Sequence, residues 1–532
     1  MPQLTRSTQL TPAQLLWLAV ALLIASTLWY YLSRKARPTQ DEPPQLAPRI
    51  PLLGHALGFL QHGSAYLAHL CATHPHLPVF TLDLLALKLY VVNAPSVVGA
   101  VQRNARALVF EPVLLAAAGR MAGIKGRGIE VLKAEREDGG VSVSEEVLRN
   151  MHKALLGGGL RELNVGTMGA LVAAVDGVVG AGSGGEGEGE IDLHAWCREV
   201  ITAATTDAVY GPMNPYKRRE VADAFWDFEN GLNVLLLNLY PRLTARKAFL
   251  GRETLVAAFQ AYYDQDGHQA ASALTRGRWE AQHAAGASVE DMARLEAAAG
   301  TGILSNTVPT AFWLAFDIFS RAELLAALRA ELLEHAVRVD EDGGCVLDLA
   351  ALRASCPLLT STFQETLRFH SRGTPTRVVT GEEVVLGQFR LRKGNIVQMP
   401  AAAVHRHASM WGASSNSFDA ARFMRKDAGV RPTGFLGFGA APNLCPGRHF
   451  AAGEVLVLVA LVVLRCDVVP VAKDGKGEWI APRVNKAAVA ASMGPPLEGE
   501  CVVSVRGREG DQGVRWRVEV GEGEGRFGLV TG

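Results

Sequence analysis

A mainly α-helical chain with small β-sheets, an α+β architecture, is what the sequence predicts, and three observations predict it. From about Ile191 to Ala336 the chain is rich in Ala, Leu and Glu, strong helix formers with few breakers among them. Short runs of β-branched residues separated by turn residues, such as TRVVTGEEVVLGQFRL over 376–391, read as strands too brief for a large sheet. The stretch HFAAGEVLVLVALVVL over 449–464 is apolar on nearly every side, as a helix is when it runs through the middle of a core. A chain of 532 residues can bury such a core.

Taken in order, the first element is LLWLAVALLIASTLWYYL over 15–32, which carries no charge. At ~1.5 Å per residue it nearly spans a hydrocarbon core of about 30 Å. Trp17, Trp29, Tyr30 and Tyr31 lie near its ends, and Arg34, Lys35 and Arg37 follow it against Arg6 before it. That asymmetry predicts a transmembrane signal anchor with a short lumenal N-terminus over 1–14 and the bulk of the chain in the cytosol. No second comparable span is read. Residues 33–51, with Pro38, Pro43, Pro44, Pro48 and Pro51, read as a proline-rich linker, extended and semi-rigid. Residues 52–532 then form one domain.

Within it, PVFTLDLLALKLYVVNAP over 78–95 reads as strands broken by turns, and GAGSGGEGEGE over 180–190 as a low-complexity loop. AFWDFENGLNVLLLNLYPRL over 224–243 is unusually apolar, and reads either as a core helix or as a lid that touches the bilayer. The end of the chain alternates: Val514, Trp516, Val518 and Val520 on one face, Arg515, Arg517 and Glu519 on the other, a C-terminal β-hairpin.

Composition excludes as well as suggests. Fifty-three Lys plus Arg against fifty-three Asp plus Glu give no basic excess, so no nucleic-acid partner is expected. The seven cysteines are scattered without a CxxC pair, which supports neither a disulfide framework nor a structural zinc site.

One cysteine has an unusual address. Cys445 follows Gly439, Ala440, Ala441 and Pro442, which offer backbone and little bulk, and precedes the apolar helix by way of Pro446, Gly447 and Arg448. The N–H groups and dipole at a helix start stabilise a thiolate. Such a thiolate suits the iron of a flat macrocycle. A buried inert thiol, or a nucleophile paired with His449, are the competing readings.

The segment FGAAPNLCPGRHFA resembles the haem-binding segment of the cytochrome P-450 superfamily, FGxGxxxCxGRxxA, through Phe438, Gly439, Cys445, Gly447, Arg448 and Ala451. Ala441 stands at the second loop glycine, and Asn443 where a basic partner of a haem propionate is common. FQETLRF resembles the family's ExxR motif, with Glu365 and Arg368, and Arg422 in SFDAARFM resembles the arginine that completes a structural cluster behind the haem. Arg377 stands where members often place a propionate-binding arginine. His405 and His407, two apart in a non-helical stretch, are read as packing residues.

The resemblance implies the P-450 fold, haem b with Cys445 as axial thiolate and sole metal ligand, and electrons from NADPH through a separate flavoprotein reductase. It implies a monooxygenase acting on a lipophilic substrate (sterol, terpenoid, fatty acid or other secondary metabolite) at the endoplasmic reticulum membrane, in the style of fungal microsomal members. GTGILSNTVPTAFWLAF over 300–316 stands for the long helix that delivers protons, without its usual acid. Asn306 and Thr307 are its catalytic candidates beside Ser305, with Gly302 or Pro309 supplying a distortion. Its SNTxPxxFW pattern resembles the branch of sterol 7-alpha-hydroxylases and prostacyclin synthase, so a hydroperoxide isomerase or dehydratase working without a reductase is the alternative. A non-enzymatic haem sensor or carrier is another. The family's tryptophan–arginine pair ahead of the haem is not visible, and His152 or Lys153 stands in that region.

Overall fold

The computed structural model describes residues 21–22, 25–26, 41–48, 54–84, 87–135, 141–181, 189–425, 432–471, 477–522 and 525–531. The expected anchor therefore lies outside the described residues apart from Ala21, Leu22, Ala25 and Ser26, and the expected lumenal segment wholly so. The low-complexity loop is likewise outside over 182–188.

The expected linker is described at 41–48, and there it is docked on the domain. Thr81 donates its N–H to Pro44 O (2.8 Å) and its hydroxyl to Pro43 O (2.9 Å), while Leu46 N–H reaches Thr81 O at 3.0 Å. Prolines lack a donor but keep their carbonyls, so a proline-rich stretch can still line a sheet edge.

Eight helices build the core around the site: α1 (Gly157–Ala181), α2 (Leu193–Tyr210), α3 (Arg219–Asn230), α4 (Arg246–Asp264), α5 (Val289–Ile303), α6 (Thr307–Phe319), α7 (Pro357–His370) and α8 (Arg448–Arg465). Every residue of α6 is buried, and α8 is buried from Ala452 to Arg465, as its all-round apolar sequence requires. Asp192 caps α2 by accepting from Ala195 N–H at 2.9 Å, and Ser288 caps α5 by accepting from Asp291 N–H at 3.1 Å. Helices α3 and α4 cross closely because Gly251 has no side chain: a Cβ there would meet Ala224 O at 2.4 Å. By length and composition alone Gly157–Gly180 is apolar enough to cross a membrane, which the sequence reading did not note; here it packs against α2 and α8 as a bundle helix.

The sheets are small, as expected. The largest has the order Val79–Asp83, Lys88–Val92, Ile396–Gln398, Thr376–Val379, Leu108–Val109, and it places Arg377 opposite Val397. Trp516–Glu519 keeps its alternation, with Trp516 buried and Arg517 exposed, but the C-terminal hairpin does not form. Val502–Gly507 pairs with Cys466–Pro470 and Glu190–Asp192, whereas Trp516–Glu519 pairs in parallel with Cys345–Asp348. Asp511 explains the divergence: it binds Arg465 (3.0 Å) and the Trp516 indole N–H (2.7 Å), pinning the connection to the end of α8.

The apolar stretch 224–243 divides. Its first part lies on α3 with Phe225 and Phe228 buried, followed by buried Leu232 and Leu235. Leu239, Tyr240 and Leu243 then stand 63%, 81% and 81% exposed.

Candidate active site

The cysteine loop is a small hairpin, Gly439–Ala440 against Asn443–Leu444, running straight into α8. Gly439 enters it at φ +89, a conformation that favours glycine, and Phe438 anchors it against Phe363 and Phe435, each 6.3 Å away between centroids. Cys445 closes the loop by donating its N–H to Phe438 O at 2.9 Å. It is the one exposed cysteine of the seven; the others are buried, or in Cys345 partly so. The protein atoms packed behind it desolvate the thiol and push its pKa up, while the Gly447 N–H and the Arg448 charge pull it down, the direction a helix start imposes. His449 accepts instead from Phe527 N–H at 3.2 Å, which ties it to the C-terminal segment.

Behind the loop, Glu365 and Arg368 sit one turn apart on α7 with Arg422 against them, Nε to Oε2 at 3.0 Å. The remaining guanidinium donors of Arg368 reach the carbonyls of His405 (2.6 Å), Ser415 (2.7 Å) and Ser417 (3.0 Å), and Asp419 N–H completes Glu365 at 2.8 Å. A buried ion pair needs such additional partners to hold its place. His405 links this cluster to the loop. Its Nδ1 donates to Arg368 O at 3.0 Å and its Nε2 accepts from Leu436 N–H at 2.8 Å, an assignment fixed by the two backbone partners. The ring also stacks on Phe435 at 5.6 Å. His407 binds only locally, to Ser409 Oγ at 2.7 Å.

Arg377 is a buried cation, 3% exposed, whose hydrogen bonds go to two carbonyls, Thr376 O (2.9 Å) and Ala440 O (2.6 Å). Among the described residues no carboxylate pairs with it, and desolvation lowers its pKa. Arg448 reaches Cys445 O at 3.0 Å with one terminal nitrogen and leaves its buried Nε without a partner. Two cations beside the loop thus lack an anion. Asn443 is exposed, His152 binds back to Leu148 O at 2.8 Å, and Lys153 faces solvent.

The long helix expected over 300–316 is broken between Ile303 and Thr307, where α5 ends and α6 begins. Pro309 falls in the first turn of α6, where a missing N–H costs little, and so marks the restart. Asn306 Oδ1 accepts from Ser492 N–H at 2.7 Å, leaving its amide donor outside that bond; Thr307 Oγ donates to Ile303 O at 3.0 Å and keeps its lone pairs. Ser305 is buried beside them.

Sequence reasoning passed over the residues that fix this region. Trp313 donates its indole N–H to Gly494 O at 2.8 Å and stacks on His370 at 4.0 Å. Asp317, one turn on, holds His370 Nε2 at 3.0 Å and Thr366 Oγ at 3.1 Å. Their signal was present: an acid and an indole four apart on an otherwise apolar helix.

Comparison with known proteins decides the family. The cytochrome P450 family model matches residues 299–480, the part holding the helix break, the Glu–Arg–Arg cluster and the cysteine loop. Cytochrome P450 monooxygenase nodJ of Hypoxylon pulicicidum is 39% identical over 528 residues, 97% of this chain and 98% of its own. The chain belongs to the cytochrome P450 family. A cytochrome P450 monooxygenase of Gibberella zeae is 27% identical over 519 residues, covering 94% and 96%. The fold agrees: a retinoic-acid-bound cyanobacterial CYP120A1 superposes with TM-score 0.66 at 15% identity, over 88% of this chain and all of that one. This P450 is accordingly an enzyme of the haem-thiolate monooxygenase class, with the mainly helical P450 fold read from its sequence. The residues present fit haem: an exposed cysteine at a helix start, an open loop of small residues, and two cations whose partners are not carboxylates.

Proposed function

We propose that Cys445 is the thiolate ligand of the haem, and the observation that carries this is its exposure, alone among seven cysteines, on the loop that opens α8. Arg377 and Arg448 would take the propionates, with Phe438, Gly439 and Gly447 shaping the loop. Glu365, Arg368 and Arg422 hold that loop from behind and take no part in the chemistry. When bound, haem supplies the iron at which dioxygen is activated for insertion into a C–H bond. Asn306 and Thr307 handle the protons, through the amide donor and hydroxyl lone pairs left open by their backbone bonds.

Electrons come from NADPH through a flavoprotein reductase, and the substrate is lipophilic: a sterol, terpenoid, fatty acid or other secondary metabolite. Two fungal monooxygenases matched over nearly their full length support that class. The 15–32 anchor would tether the protein to the endoplasmic reticulum membrane with the catalytic domain cytosolic. Exposed Leu239, Tyr240 and Leu243 favour a second contact with the bilayer, since a contiguous apolar patch on a soluble surface is otherwise costly.

The test is the reduced, carbon monoxide-bound difference spectrum of the membrane fraction. A red-shifted thiolate-type Soret band in wild type that disappears in Cys445→Ala is the expected result. A band that survives the substitution would remove Cys445 as the ligand.

A further inference from the structure

Beside the helix break lies a cavity of about 840 Å³ between α2, α3, the start of α6 and the segment 495–498. Its walls include three buried polar side chains: Glu229 of α3 (3% exposed), His194 of α2 (7%) and Ser305 of the break (2%). Among the described residues neither Ser305 Oγ nor His194 Nε2 makes a hydrogen bond of good geometry, although the Ser305 hydroxyl lies close enough to the Glu229 carboxyl to pull its pKa down. Buried polar groups are nearly always satisfied, and a roomy cavity that leaves several of them open is a place for ordered water. The outer part of the cavity carries Arg198, Asp223, Asp227, Lys247 and Glu498, which connect it to solvent.

Ser305 stands at the inner end. It and Pro309 line this cavity, while Asn306, next to Ser305 in the chain, accepts from Ser492 N–H.

We propose that this cavity is a water-filled proton inlet, in which the Glu229 carboxyl holds the proton and the Ser305 hydroxyl passes it across the helix break towards Asn306 and Thr307. The inference rests on the reading of those two residues as the proton-handling pair. In each transfer Glu229 gives its proton through cavity water to Ser305 as Ser305 releases its own inward. Water at the rim then reprotonates Glu229, and no electrons move. The long helix lacks the acid its class usually carries, and α3 supplies a carboxyl at the same break from across the cavity.

The surroundings suit a carboxyl that titrates near neutrality. Burial pushes the Glu229 pKa up to about 7, with the nearby Ser305 hydroxyl pulling it partly back. His194, which lines the same cavity, is pushed down to about 4 by burial and the Arg198 charge, so it stays neutral there. At the rim, Arg198 pairs with Glu498 at 3.1 Å and Lys247 with Asp227 at 2.7 Å, leaving Asp223 as the further rim charge. Glu229 acts through Ser305 and is a positioning residue in this scheme.

Two measurements on the full-length haem-loaded protein test it. The first is infrared titration between about pH 5 and about pH 9, wild type minus Glu229→Gln. A protonated-carboxyl band that vanishes with a midpoint near neutrality is expected; a band midpoint in the ordinary carboxylate range overturns the proposal. The second is hydrogen peroxide released per NADPH consumed with reductase present. In wild type this fraction should rise through the same midpoint, following a protonated population that falls about tenfold per pH unit above it. Glu229→Gln and Ser305→Ala should both show a high fraction with no pH dependence, and Glu229→Asp should recover part of the wild-type profile. A wild-type profile retained in Glu229→Gln overturns the inlet, as does a variant that changes only the affinity for added lipophilic ligands, which would make the cavity a substrate subsite. Failure of the haem-thiolate reading is distinguishable, because it would show as loss of the carbon monoxide band in wild type.

Discussion

Arg368 and Glu365 share two hydrogen bonds, Nε to Oε2 at 2.7 Å and Nη2 to Oε1 at 2.8 Å, and neither side chain has any solvent exposure. The planar fork matches the carboxylate, and its other donors hold three carbonyls of the segment 405–417. Removing either partner strands a buried charge, at a cost of about 3–5 kcal/mol. Arg368→Ala and Glu365→Ala should therefore lose that much in denaturant titration and fail to retain haem. Arg368→Lys should be nearly as damaging, since an ammonium cannot reproduce the fork. Wild-type stability in the lysine variant would show that charge alone suffices.

His405 makes a pH prediction of definite sign. Burial and the Arg368 charge push its pKa down from 6.5 to about 3, so the folded protein keeps it neutral while the unfolded chain protonates it. Its contribution is present above pH 6.5 and is lost as pH falls towards about 3. His405→Phe, which keeps the stack on Phe435 but leaves Leu436 N–H unpaired, should cost about 1–3 kcal/mol at neutral pH. Melting temperatures of the two proteins should converge on acidification.

Glu454 on α8 behaves oppositely. It accepts from Thr205 Oγ at 2.5 Å, its second oxygen is buried without a partner, and burial pushes its pKa from 4.5 to about 8. A raised carboxyl contributes stability below pH 4.5 that is gone once pH passes about 8. Glu454→Gln should thus be close to neutral in acid and more stable than wild type in alkali. Thermal melts in both ranges check this, and a variant uniformly destabilised would point to the Thr205 contact instead.

Arg377 should give two effects of opposite sign. Among the described residues its buried cation has no anionic partner, so Arg377→Leu should leave the haem-free fold as stable or more so. Haem loss to apomyoglobin should meanwhile accelerate about tenfold or more, as expected from forfeiting a charged hydrogen bond worth ~1.5 kcal/mol. Unchanged haem release would remove the propionate role.

How much of this was legible follows from how local each cause is. The cysteine loop and the ExxR helix could be read because their residues lie within one turn or one hairpin of each other. Helix α8 could be read because uniform apolarity leaves burial as its one stable outcome. The C-terminal hairpin misled because alternation specifies which face is buried and says nothing about the partner strand; Asp511, held by Arg465, sends the chain to another sheet. The docking of 41–48 was not legible for a related reason, since proline spacing reports stiffness while docking depends on a sheet edge elsewhere. Glu229 was hidden by an apolar neighbourhood, AFWDFENGL, in which one acid of two carries no mark of its burial.

A very short stretch, Ser492 to Gly494, is clasped at both ends. Asn306 takes Ser492 by its N–H and Trp313, two helical turns further on, takes Gly494 by its carbonyl, while Met493 between them is paired with Ser371. Such a segment can neither slide nor roll, so its course is inherited from α6 whatever side chain it bears. Met493, 2% exposed and part of the main hydrophobic core, is thereby held in place by its neighbours on both sides, and its flexible thioether fills whatever gap that fixed course leaves.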